Sequence, residues 1–385
     1  MPTSLLAMKW RSEEVRVAGL EGVVAVAAAS HEDRPRWFAV SRDGTLRGFD
    51  LDDGSTFFEP QKLPFNVEHE GGVTLVASPN GRYVAAVQTH GTEGALYDVT
   101  SQRLLKPLSR GDYHPEVSAW CIALDDTRLF LATDWNRVEV WSLPTCERLR
   151  PTGNETKYDY FYGEAELSPS KKWLASFGWH WHPIGTLNFI DVEAWLANGE
   201  GDDGRPPLAK HPLYAEWWDS SVCFLDDRRV ALIGDARSED DDVLQTQTGL
   251  LIYDFTTGAR DAYFPGLLGH ALAFDDARLI LLGSETLRAI SPLDGSVLAT
   301  LEKKCTAWHP GNRTALSLEP LAQHWLVGTR TSAAKLELPR GASPAELSVL
   351  ADALEEQGGD AGAIAHLRSS APHGRRCHVI ESLSD

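Results

Sequence analysis

LDDTRLFLATDWNRVEVWSLPT, residues 124–145, reads as a turn followed by two strands and a hairpin between them. Asp125 and Asp126 reverse the chain, a basic residue follows, and a run with aromatic members leads to a polar break. The second run, Arg137-Val138-Glu139-Val140-Trp141, alternates, which sends one set of side chains inward and the other toward solvent. A third strand precedes the turn.

The same order recurs along the chain. A turn ending in Arg or Lys just before a strand appears seven times: DRPR 33–36, PNGR 79–82, DDTR 125–128, PSKK 169–172, DDRR 226–229, DDAR 275–278 and PGNR 310–313. Asp, Asn, Gly and Pro suit these turns because they supply side-chain caps, positive φ or a preset φ. Downstream, a bulky apolar residue followed by a short polar one closes the next strand. These pairs are Phe49-Asp50, Tyr97-Asp98, Trp141-Ser142, Ile190-Asp191, Tyr253-Asp254 and Ile290-Ser291, and the seventh is blurred.

A period of about 45 residues with about four short strands per unit is that of a β-propeller blade. The pattern resembles the WD-repeat, or WD40-like, propeller family over residues 13–340, with one Gly-His pair, Gly269-His270, ahead of an innermost strand. The expected fold is therefore all-β: a seven-bladed propeller of four-stranded antiparallel blades. A small α-helical tail should occupy residues 341–385. There Ser343 caps a helix, Pro344 takes its first position, Glu346 completes a capping box, and Leu347, Leu350, Ala351 and Leu354 form a stripe. This tail is similar to helical segments appended to bacterial repeat proteins, which implies a bacterial origin.

Residues 13–20 read as a lone strand, of the kind that completes the last blade of such rings. Two runs, 324–327 and 333–338, compete to be the next strand of that last blade. After the fourth blade, residues 196–212 read as a long exposed loop rich in Gly, Pro and Asp.

The formal charge of −19, from 55 acidic and 36 basic residues, opposes nucleic acid and anionic membrane surfaces as partners. Five separated cysteines form no C-x-x-C pair, so reduced thiols are expected. The first residues lack a secretory signal and no stretch reaches about 18 apolar residues, which reads as a cytoplasmic protein.

Four stretches on the fourth and fifth blades fall in connections that leave one face of a propeller. They are YDYFY with Tyr158, Tyr160 and Tyr162; WHWHP with Trp179, His180, Trp181 and His182; EWWD with Trp217, Trp218 and Asp219; and SEDDD with Glu239, Asp240 and Asp241. Clustered aromatic and acidic residues are what a contact surface for a basic protein partner needs. The same rings could instead fill space under long loops. His180 and His182 alternate and could share a metal, but no third ligand is spaced to join them from sequence, with His211 and Asp219 the residues that the fold would have to bring in. SEDDD lacks the alternating pattern of a calcium loop. No nucleophile elbow, Walker loop or metalloprotease helix is present.

Two functions follow. The first is a non-enzymatic interaction scaffold, with no cofactor or metal, that docks a protein through the aromatic and acidic face. The second is a propeller enzyme or small-ligand sensor with a metal or acid/base site at the channel mouth.

Overall fold

The computed structural model describes residues 9–337 apart from 17–19, 21, 32–33, 52, 70, 150–156, 181–183, 202–203, 216–220, 236–247, 275–277, 303–306, 310–313 and 320–329. The helical tail expected at 341–385 and the run 324–327 lie outside the described residues.

The chain begins with β1 (Lys9–Arg16). A first blade follows as β2 (Val23–His31), β3 (Arg34–Ser41), β4 (Thr45–Asp50) and β5 (Thr56–Lys62). The next is β6 (Val73–Ala77), β7 (Tyr83–Gln88), β8 (Glu93–Asp98) and β9 (Arg103–Ser109). A three-stranded sheet comes after it: β10 (Ile122–Leu124), β11 (Arg128–Asp134) and β12 (Arg137–Ser142). Then come β13 (Phe161–Leu167), β14 (Trp173–His180), β15 (Ile184–Asp191), helix α1 (Val192–Asn198) and β16 (Leu213–Ala215). Two more blades are β17 (Val222–Phe224), β18 (Arg229–Asp235), β19 (Thr248–Asp254), β20 (Ala259–Pro265), and β21 (Ala271–Phe274), β22 (Leu279–Leu282), β23 (Leu287–Ile290), β24 (Val297–Leu301). The last sheet joins β25 (Ala307–His309), β26 (Thr314–Glu319) and β27 (Arg330–Glu337) to β1.

These small antiparallel sheets make a β-propeller. Innermost strands touch in succession, β2 to β6, β6 to β10, β10 to β13, β13 to β17 and β17 to β21, and β25 returns to β2. The lone N-terminal strand lies at 9–16 rather than 13–20, and pairs antiparallel with β27 from Lys9↔Glu337 to Arg16↔Arg330. One end of the chain thus covers the sheet edge made by the other, and of the two competing runs it is the later one that supplies β27.

The expectation of seven four-stranded blades is corrected: the structure has six, and the unit quoted at the outset has three strands. Among the described residues its fourth strand is only begun. Ser142 N–H donates to Glu147 O at 2.8 Å and Leu149 N–H to Val140 O at 2.9 Å.

The two sequence landmarks turn out to face each other. Arg36↔Asp50, Tyr83↔Asp98, Arg128↔Ser142, Trp173↔Asp191 and Arg229↔Asp254 are register partners on the second and third strands of their sheets. The residue after the closing polar one donates its N–H back to the turn, as Val99 to Arg82 O at 2.8 Å and Val192 to Lys172 O at 2.9 Å. Asp98 and Asp254 accept the N–H groups that the following turn leaves unpaired, and Arg228 pairs with Asp254. Asp191 does the same for a helix: its carboxylate accepts from Ala194 N–H at 2.9 Å, so α1 starts there, and Gly199 stops it at φ 82°. The stretch read as loop from 196 therefore begins as the end of a helix whose Trp195 is buried.

The hydrophobic core lies between the sheets. β7 and β22 are buried along their whole length, because a neighbouring sheet covers each face, whereas outer strands such as β9 and β20 are mostly exposed. Hydrogen bonds tie successive sheets together: Asn80 N–H to Asp126 at 2.9 Å, Ser170 Oγ to Asp227 at 2.8 Å, and the Tyr97 hydroxyl to Lys62 O at 3.4 Å.

Candidate functional site

Loops that enter an innermost strand and turns that join second to third strands share one end of the ring. Of the residues singled out there, Trp181, His182, Trp217, Trp218, Asp219, Glu239, Asp240 and Asp241 lie outside the described residues. Tyr158, Tyr160, Tyr162, Trp179 and His180 are in place.

Tyr160 and Tyr162 take the packing alternative. Both are essentially fully buried, 0% and 1% exposed, packed with Cys121, Phe130 and Trp195 between β10–β12 and β13–β16. The alternation of YDYFY is a strand signal that sends both rings into the interface between sheets. Burial pushes both phenols well above their ordinary range and the Cys121 thiol up to about 12. Tyr158 is half-buried above them, its ring 5.6 Å from that of Tyr160 and 5.8 Å from that of His180, with the Arg205 guanidinium over it at 5.3 Å. His180 Nδ1 lies 2.8 Å from the Asp159 carbonyl. His211 packs against Gly258 in a turn of the next blade, and no three His, Cys, Asp or Glu side chains among the described residues are grouped to hold a metal.

A second row of rings spans the same end. Trp179 stacks on Phe161 at 4.3 Å and 7°, Phe161 lies 4.5 Å from Trp135, and Trp135 lies 5.4 Å from Tyr113. Each such contact adds about 0.5–1.5 kcal/mol beyond area burial. Phe161 is buried, Trp135 beside it is half-buried and Tyr113 is 45% exposed, so this side of the row rises from core to solvent, while Trp179 on the other side of Phe161 is half-buried. Tyr113 and Trp135 are not legible in sequence because each is a single aromatic in its own connection. The available signal is position: GDYHP lies in the connection to β10 as YDYFY leads into β13, and Trp135 sits in the β11–β12 turn.

The loop at 111–120 is fixed from below. Arg110, 8% exposed, donates Nε to Gly91 O at 2.7 Å and Nη2 to Pro115 O at 2.8 Å and Ser118 O at 3.0 Å. Trp120 Nε1 donates to the same Gly91 carbonyl at 2.7 Å. Burial of the Arg110 cation lowers it to about 10. Above it Asp112, Glu116 and Asp159 are exposed, and the hydrogen bond from His114 to Glu116, 3.0 Å, holds that carboxyl below its ordinary value.

Glu164 and Glu166 are exposed on β13, and Glu166 lies toward Cys223 of the next sheet. Water reaches Glu166, yet protein surrounds it, and the lost hydration raises its carboxyl to about 7, against the pull of Lys171 and with help from Glu164. Between 4.5 and 7 the folded chain then holds a proton that the unfolded chain releases, so the carboxylate destabilises the fold above pH 7 and ceases to do so as pH falls. Glu166→Gln should raise the melting temperature at about pH 8 and leave it unchanged near the ordinary glutamate value. Equal shifts at both pH values would assign the effect to something other than the charge.

The chain is a β-propeller whose end at β10–β16 carries a graded row of aromatic rings. A scan against protein-family models gives no match to the chain, and no curated protein matches it.

Proposed function

We propose that the chain is a WD40-like scaffold of the cytoplasm, not an enzyme, that docks a protein partner bearing a basic segment through the end of the ring at β10–β16. The observation that carries this reading is the row Tyr113, Trp135, Phe161 and Trp179, open at Tyr113, half-buried at Trp135 and Trp179 and anchored on buried Phe161, with Asp112, Glu116 and Asp159 exposed nearby. Rigid rings cost little ordering entropy on binding, and Arg110 has already ordered the loop, which leaves more contact energy as affinity. The acidic surroundings favour encounter with a cationic segment.

Affinity capture from the source organism with mass spectrometry supplies the partner, and Tyr113→Ala tests the surface. The expected result is a loss of affinity of about 30-fold, the scale of a hot spot near 2 kcal/mol, with an unchanged melting temperature and an affinity that weakens with salt. Undiminished capture would sink the reading. The rival, acid/base chemistry, has Glu166 on its side, a carboxyl that titrates near neutrality. Capture that survives Tyr113→Ala and fails with Glu166→Gln would favour it.

A further inference from the structure

Among the described residues the outer strands β1, β5, β9, β16, β20 and β24 each pair on one side only, and most of these edges are guarded. β5 (TFFEPQK), β9 (RLLKPLS) and β20 (ARDAYFP) each carry a proline and charged residues. β16 has three residues, and β1 (KWRSEEVR) is highly charged. Proline removes a donor, charge resists a dry contact, and shortness limits the ladder, so each device discourages another strand from adding on. β24 (VLATL) has none of them. It ends its sheet, it is hydrogen-bonded to β23 alone among the described strands, and Val297 and Leu298 are 47% and 40% exposed. Leu293, in the turn just before it, is 70% exposed.

We infer that β24 pairs edge to edge with β24 of a second copy of this chain, antiparallel about a two-fold axis, joining two blades into one continuous sheet. With Ala299 on the axis, Val297 lies across from Leu301 and Leu298 from Thr300, so every facing pair within the strand is uncharged. The flanks are complementary to themselves. Asp294 precedes the strand, and its carboxyl is held ionised by the Ser296 N–H, 3.0 Å away; the sequence after the strand is Glu302-Lys303-Lys304. In sequence, an antiparallel match about Ala299 brings the acidic side of one copy to the basic side of the other, which an arbitrary strand would not offer. A chain of net charge −19 repels its own copy over most of its surface, so a contact between copies needs a strip that is locally neutral and self-complementary, and β24 is such a strip. This inference is independent of the aromatic end of the ring.

Sedimentation velocity of the full chain over a range of micromolar concentrations tests it. The wild type should show a monomer–dimer equilibrium, and Leu298→Lys should weaken it by about 30-fold or more, because the two-fold axis introduces the charge twice. Thr300→Lys, on another exposed position of the strand, should act alike, and both variants should melt as the wild type does. A wild type that is monomeric throughout would overturn the proposal, as would an assembly that both lysines leave intact or one that proves to contain a different protein.

Discussion

Tyr160→Ala is expected to lower the unfolding free energy by about 4 kcal/mol, and Tyr160→Phe by about 2 kcal/mol. The ring is 0% exposed and lies in the interface between β10–β12 and β13–β16, where truncation leaves a cavity lined by Cys121, Tyr162 and their neighbours. Gly178 makes room for it: a Cβ there would stand 2.6 Å from the Tyr160 hydroxyl and 2.0 Å from the Phe161 carbonyl. The hydroxyl is 2.9 Å from Ser176 O and 2.8 Å from Thr186 O, so its proton is shared between two buried carbonyls. Phenylalanine keeps the packing and leaves both carbonyls without that donor, which separates the hydrogen-bond contribution from the cavity. Urea unfolding of the three proteins measures both. If Tyr160→Ala unfolds at the wild-type midpoint while losing a binding partner, the ring belongs to the surface after all.

Tyr160 also shows what the sequence could and could not convey. Turn and closing residues were legible because each does a local job: Asp98, Asp191 and Asp254 pair the N–H groups of their own next few residues. A device that acts within four residues leaves a pattern within four residues, and so the repeat, the strand order and the antiparallel pairing could be read. Helix α1 escaped because Asp191 had already been used as a strand terminator, although Asp191, Glu193, Trp195 and Gly199 make an adequate cap, first turn, buried position and stop. The short ladder after β12, which among the described residues ends at Leu149, is not legible because the turns that mark the repeat say nothing of how far each outer strand runs.

The site was less legible, for a reason of scale. YDYFY and WHWHP attract notice by density, yet density is also how a core between two sheets looks, and Tyr160 and Tyr162 went there. Tyr113 and Trp135 are single aromatics in separate connections. They become a row only when β10–β12 is set beside β13–β16, through contacts such as Tyr162 N–H to Trp135 O at 2.9 Å that no local pattern encodes.

Arg110→Met is expected to cost about 3 kcal/mol or more of stability and, with it, the order of the loop that presents Tyr113. The guanidinium is buried with no carboxylate beside it among the described residues. Three backbone carbonyls and the face of Trp120, 5.2 Å away, are what compensate its lost hydration. Those carbonyls come from two places, Gly91 in the preceding blade and Pro115 and Ser118 in the loop itself, so the side chain works as a bracket between them. Methionine fills similar space and supplies no donors, which leaves the carbonyls short of partners in a site that water enters poorly. Arg110→Lys is the sharper variant: it keeps the charge, but a single ammonium cannot reach Gly91 on one side and Pro115 and Ser118 on the other as a planar fork does. It should therefore retain less than half of the stabilisation, read as a urea midpoint closer to Arg110→Met than to wild type. Hydrogen exchange at residues 111–118 should rise in both variants, whereas exchange in β18 and β19, on the far side of the next blade, should not. A lysine variant as stable as wild type, with an equally protected loop, would show that charge alone matters at this position and that the bracket is not what holds Tyr113 in place.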